Sequence, residues 1–277
     1  MKSPIITIMF FFLSFVYSQE DISKSYFPKT EEKVDKMPPK ENVWIFIMAG
    51  QSNMAGRARI SPSDTIPNSR VITINKNNEW VYAKEPLHFY EPEKAGLDCG
   101  LSFGNELAKR TRDHITIALI PCAVGGSSAK QWLNDQIHRD VKLLSNFKEK
   151  VDLAKQYGTI KGILWHQGES DAVPSALPAY KERLPQLFKI FRDYIENPDM
   201  IIMAANLGLF ASEYDQIRWD AINAVINLMP YKDRKLYPVS SQGLTDKGDK
   251  LHFDANSQRE LGKRFALTYI SVLSRKK

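Results

Sequence analysis

Cysteine is scarce. The 277-residue chain holds two, Cys99 and Cys122, far fewer than the dense disulfide framework of a small exported scaffold. A single bridge between them and two separate thiols both remain open. Cys122 follows the apolar run 115–121 directly, which also suits a buried thiol. No base stands at a recognisable spacing to make it a nucleophile. Long hydrophobic runs are missing too. No window reaches the roughly 18–20 consecutive apolar residues of a spanning helix, so no membrane span is expected in the mature chain. There is no internal repeat and no low-complexity tract. A basic stripe is also lacking. Lysine and arginine outnumber aspartate and glutamate by 38 to 32, giving a net charge of +6. The two signs are interleaved, however, as in Lys29-Thr30-Glu31-Glu32-Lys33. That is a solvated mixed surface rather than a nucleic-acid footprint.

The N-terminus is a different kind of sequence. Lys2 precedes a nearly unbroken apolar segment from Ile5 to Val16, and Val16-Tyr17-Ser18 follows with Gln19-Glu20-Asp21 behind it. This pattern predicts a secretory signal, residues 1–18, cut after Ser18. The mature protein is then expected to be secreted or periplasmic. Its charge becomes 37 − 32 = +5, because only Lys2 is lost. Residues 19–42 are charged, contain Pro28, Pro38 and Pro39, and read as an extended arm or linker. The folded domain is expected over 43–277.

From Val43 onward apolar runs alternate with amphipathic stretches. Val43–Ala49, Ile115–Ile120, Ile160–Trp165, Met200–Ala205 and Leu236–Val239 are strand candidates. Several are apolar throughout, as strands buried on both faces are. Between them lie helical patterns at Leu101–Arg112, Val141–Tyr157, Tyr180–Ile195, Tyr214–Leu228 and Gln258–Leu273. Pro185 falls inside the third and is expected to kink or shorten it. Residues 57–98 are irregular apart from an extended stretch at Arg70–Asn75, and such long segments often carry binding loops. The alternation predicts an α/β fold, a mostly parallel sheet of about five strands between layers of helices.

In such folds sites form beyond the carboxyl ends of the strands. Four polar clusters stand at such places: Gly50-Gln51-Ser52-Asn53-Met54, Cys122-Ala123-Val124-Gly125-Gly126-Ser127, His166-Gln167-Gly168-Glu169-Ser170, and Asp249-Lys250-Leu251-His252-Phe253-Asp254 before the last helix. Together they hold what ester chemistry needs. Ser52 is a nucleophile once a base takes its proton. His252 can be that base. Asp249, three residues earlier, can fix its tautomer. The N–H groups of Ser52 and of Gly125 or Gly126, with the amide of Gln167, can hold an oxyanion. Asp246 and Asp254 compete with Asp249.

These motifs resemble those of the SGNH-hydrolase superfamily. Within it the chain is most similar to carbohydrate esterase family six, which includes acetyl xylan esterases, and to the sialate O-acetylesterase group. The resemblance runs from about Val43 to the C-terminal helix. Gly-Gln-Ser stands where many superfamily members have Gly-Asp-Ser, and Gln167 where they have an oxyanion Asn. It implies a flavodoxin-like α/β/α sandwich, no metal and no cofactor. It also implies hydrolysis of acetylated polysaccharide or oligosaccharide through an acyl-enzyme. Other residues are left with two readings. His166 lines the acyl pocket or packs beneath it. Glu169 braces its loop or transfers protons. Gln51, Asn53 and Arg57 meet substrate, support the site or lie on an exposed face. Trp80, Tyr82, Phe89, Tyr90 and Trp132 form a sugar platform or simply pack.

Overall fold

The computed structural model describes residues 24–274, so the predicted signal and its cleavage site lie outside the described residues. The central sheet contains β1 (Val43–Gly50), β2 (Val71–Ile74), β3 (Trp80–Tyr82), β4 (Thr116–Pro121), β7 (Thr159–His166), β8 (Ile202–Ala205) and β9 (Leu236–Val239). Their order is β3-β2-β4-β1-β7-β8-β9. All neighbours are parallel except β2 with β3. Two strands, β5 (Ile137–His138) and β6 (Val141–Lys142), form a separate small ladder.

The sheet therefore has seven strands, not about five. The additions are β2, four residues inside the extended stretch expected at Arg70–Asn75, and β3, three residues with no counterpart in the sequence pattern. A run as short as β3 carries too little pattern to stand out of an irregular segment. The helices are α1 (Ser52–Ala55), α2 (Gly100–Arg110), α3 (Ala129–Leu133), α4 (Leu143–Tyr157), α5 (Leu177–Ile195), α6 (Glu213–Leu228) and α7 (Ala255–Ser274). Among the described residues none is long and apolar enough to cross a membrane. α5 runs through Pro185 as one 19-residue helix, so the proline does not shorten it. Lys181 and Pro185 are both exposed, so the carbonyl that loses its N–H partner can turn to water instead.

Strand periodicity splits the core in two. On β1, Val43, Ile45, Ile47 and Ala49 face one helical layer, with Phe147 of α4, Phe188 of α5 and Ile222 of α6. Phe46 and Met48 face the other, with Phe103 of α2 and Phe265 of α7. This double burial is why the strands read as apolar throughout. It also decides the cysteines. Cys122 sits in the first core and Cys99 in the second, with the sheet between them. Both are free and buried, so the possible bridge does not exist. Burial raises both thiols, Cys122 to about 12.

The arm is no loose linker over its described part. Val34 N–H donates to Trp80 O at 3.0 Å and Tyr82 N–H to Glu32 O at 2.8 Å, which covers the open edge of β3. Phe27 packs on the small cluster of Ala58, Ile60 and Leu97.

Candidate active site

β1 ends in Gly50, whose φ is +137°. A Cβ there would stand 2.1 Å from the His166 carbonyl oxygen. Only glycine lets the chain turn here, against the end of β7. The turn delivers Ser52 as the first residue of α1, 7% exposed.

Around it three of the predicted residues come together. His252 Nε2 lies 3.1 Å from Ser52 Oγ, and His252 Nδ1 lies 2.7 Å from Asp249 Oδ2. Asp249 Oδ1 accepts the N–H groups of Leu251 at 3.0 Å and His252 at 2.8 Å. Burial alone would raise the Asp249 carboxyl, but those N–H donors and the imidazole outweigh it and bring it to about 2. Burial also pulls His252 below its ordinary 6.5, against the opposing pull of Asp249. The imidazole is therefore neutral at pH 7 and able to accept a proton. The competing aspartates are engaged elsewhere. Asp246 caps Gly248 N–H and Lys250 N–H, and Asp254 holds Thr245 and Ser257.

Gln167 is placed differently from its predicted role. It is fully buried, and its amide nitrogen donates to Asp171 Oδ2 at 2.7 Å and Ser127 O at 3.2 Å. With both amide hydrogens occupied, it cannot reach an oxyanion. The two glycines also divide. Gly125 N–H donates to Glu91 Oε2 at 2.6 Å. The N–H groups of Ser52 and Gly126 have no hydrogen-bond partner among the described residues.

Residues 42–271 match the profile of one family, carbohydrate esterase, sialic acid-specific acetylesterase. The chain belongs to that family. It is a carboxylic ester hydrolase with the fold of SGNH-type esterases. A probable carbohydrate esterase from Arabidopsis thaliana is 29% identical over 260 residues, covering 87% of this chain and 95% of its own. The crystal structure of that Arabidopsis protein superimposes with a TM-score of 0.71 over 84% of this chain and 99% of that one, at 28% identity. A carbohydrate acetylesterase from Xanthomonas citri shares the fold at 18% identity, with a TM-score of 0.58 over 82% of this chain and 55% of that one.

In this carbohydrate esterase the residues flanking Ser52 are supports. Gln51 is 2% exposed, and its Oε1 accepts the Gly168 and Ser170 N–H groups at 3.4 and 3.3 Å. Asn53 is fully buried, not on an exposed face. Its Nδ2 donates to Glu169 Oε1 at 2.6 Å and to Leu251 O at 3.1 Å, and its Oδ1 accepts Phe253 N–H at 3.1 Å. One amide thus grips the backbone on both sides of His252. Glu169 is half-buried with its Oε2 shut off from solvent, and this burial lifts its carboxyl to about 7, against the donors around it. His166 is buried beneath the site, its ring 5.5 Å from that of Phe253, and burial lowers it to about 3. It stays neutral and packs. Trp132 and Trp80 are buried in the first core and offer no platform. The tail of the last motif works at a distance: Gln258 Nε2 donates to Asn53 O at 2.9 Å, and Arg259 pairs with Asp64.

The largest omission from the sequence reading is Glu91. Besides Gly125 it pairs with Arg57 Nη2 at 2.6 Å and with Arg139. His138 Nε2 lies 2.9 Å from Gly125 O. The Gly125 loop is thus clamped through both its N–H and its carbonyl. Burial and the nearby Arg139 lower Arg57 to about 10, so it remains charged. A lone glutamate in an irregular loop gave no signal of this.

Asn53→Ala is expected to cost about 1–3 kcal/mol of stability, because it leaves a buried carboxyl and an N–H unpaired. It should also lower kcat by about 100-fold through a loosened His252. Denaturant unfolding and steady-state kinetics check both. Wild-type kcat in a folded Asn53→Ala protein would remove this role.

Proposed function

We propose that the chain hydrolyses O-acetyl esters on carbohydrate, with acetylated xylan-type polysaccharide as the first substrate class. The reading rests on one observation above all: a neutral imidazole hydrogen-bonded to both a partly buried serine and a carboxylate. Ser52 Oγ attacks the acetyl carbonyl while His252 Nε2 takes its proton. The oxyanion is held by the N–H groups of Ser52 and Gly126, the two left without other partners. The C–O bond to the sugar then breaks, and His252 returns the proton to the leaving alkoxide. Water, deprotonated by the same imidazole, attacks the acetyl-enzyme and releases acetate and free Ser52. We propose further that the enzyme acts outside the cytoplasm after removal of residues 1–18.

A second reading has its own support. Arg57 and Arg139 share one carboxylate, Glu91, beside the Gly125 loop, and Lys247 stands 3.6 Å from Asp249. This positive excess favours an acidic sugar such as O-acetylated sialic acid. Acetate release from acetylated xylan and from O-acetylated sialic acid, compared as kcat/KM, decides between them. A preference for the sialic acid overturns the first reading, and release from neither overturns both.

A pH profile adds an independent check. The free enzyme's kcat/KM should rise with pH as His252 loses its proton and reach half its plateau below pH 6.5, because burial depresses this imidazole. An inflection near pH 7 that disappears in Glu169→Gln belongs to Glu169. A half-maximum above 6.5 that survives in Glu169→Gln would contradict the assignment of His252 as base.

A further inference from the structure

A cavity of about 230 Å³ opens at the carboxyl end of β2. Phe27 of the arm, Tyr82 and Phe89 give it aromatic walls, and Glu31, Thr30 and Lys76 line it as well. The three rings are half-buried, so part of each remains accessible. The Thr30 hydroxyl and the Lys76 ammonium make no hydrogen bond or ion pair among the described residues. Aromatic faces beside free polar groups suit a sugar ring, whose C–H faces are apolar and whose edges carry hydroxyls.

Its position ties it to the chemistry. β2 is two strands from β1 in the sheet, a separation of about 10 Å, and the parallel strands end at the same edge as Gly50 and Ser52. The segment Leu87–Glu91 joins the cavity to the Gly125 loop, since its first part lines the cavity and Glu91 accepts the Gly125 N–H. Leu87 and Phe89 line the cavity, while His88 is buried 2.8 Å from Asp98 and the Tyr90 hydroxyl donates to Pro121 O at 3.0 Å. The Phe89 and Tyr90 rings touch, with centroids 4.7 Å apart. The same segment therefore supplies a ring to the cavity and the carboxylate that clamps Gly125.

We propose that this cavity is a saccharide subsite, which holds a sugar unit of an oligosaccharide other than the unit bearing the acetyl ester. The proposal deepens the carbohydrate esterase reading and rests on it. It makes the N-terminal arm part of the substrate site, and it makes chain length a determinant of rate.

The test compares O-acetylated xylotetraose with O-acetylated methyl xyloside, the latter too short to reach the cavity. Wild-type kcat/KM should favour the tetraose by about tenfold through KM, the worth of one or two modest contacts. Thr30→Trp, which fills the mouth, should bring the ratio to about one, and Lys76→Ala should reduce it. A wild-type ratio of one, or a ratio unchanged in both variants, overturns the subsite. If neither acetylated sugar is hydrolysed while 4-nitrophenyl acetate is, the proposed function falls. The subsite is then decided by calorimetric titration of unacetylated xylotetraose into Ser52→Ala protein. Binding that Thr30→Trp abolishes supports it, and no binding overturns it.

Discussion

Ser52→Ala is expected to reduce kcat toward 4-nitrophenyl acetate by about 10⁵–10⁶-fold, the scale seen when a triad nucleophile is removed. The loss is chemical rather than structural. Ser52 Oγ makes one hydrogen bond, to His252 Nε2, and the turn that presents it depends on Gly50 and the bond from Gln51 N–H to His166 O. The variant should therefore unfold at the same denaturant concentration as the wild type. The free N–H groups of Ser52 and Gly126 survive the substitution, so a small residual rate over solution is expected. A Ser52→Ala enzyme within tenfold of wild type would end the assignment of Ser52 as nucleophile.

Asp249→Asn is expected to cost about 10⁴-fold in kcat, by the tautomer mechanism. The geometry gives the reason. Asp249 Oδ1 accepts two backbone N–H groups, and Oδ2 accepts the His252 Nδ1 proton. An asparagine must put its oxygen where the two backbone donors are, which leaves its NH₂ facing Nδ1. The imidazole then carries its proton on Nε2, pointing at Ser52, and can no longer act as base. Asp246→Asn and Asp254→Asn touch no ring nitrogen and should stay within tenfold of wild type. A larger loss in either than in Asp249→Asn would move the acid role to that residue.

What could be read in the sequence, and what could not, follows from the range of the interactions. Ser52, Asp249 and His252 were recognisable because sheet topology fixes which chain segments meet at one edge, and each segment carries a compact local signature. β2 showed as the extended stretch at Arg70–Asn75, whereas the three residues of β3 were too few to show a period. Whether Pro185 shortens its helix depends on whether the freed carbonyl meets water, which periodicity does not report. Gln167 looked like an oxyanion donor on its motif alone, but whether its amide is free depends on how the loop turns Asp171 toward it and on Ser127, 40 residues away. Glu91 lies 34 residues from the glycine it clamps, with α2 and β4 between them, so no local pattern links the two. The readings of Asn53 stayed open because a four-residue helix has no amphipathic pattern to show which side is covered.

The two thiols offer a separate use of the fold. Cys99 and Cys122 lie in different halves of the core, one on each side of the sheet, and neither is crosslinked. A reductant should therefore leave the enzyme intact. Each thiol can react with a soluble disulfide reagent only when its own layer of helices lifts away. Labelling Cys99 in a Cys122→Ala background, and the reverse, would time the opening of the two layers independently. The protein carries two internal clocks, one for the α2–α7 side and one for the α4–α5–α6 side.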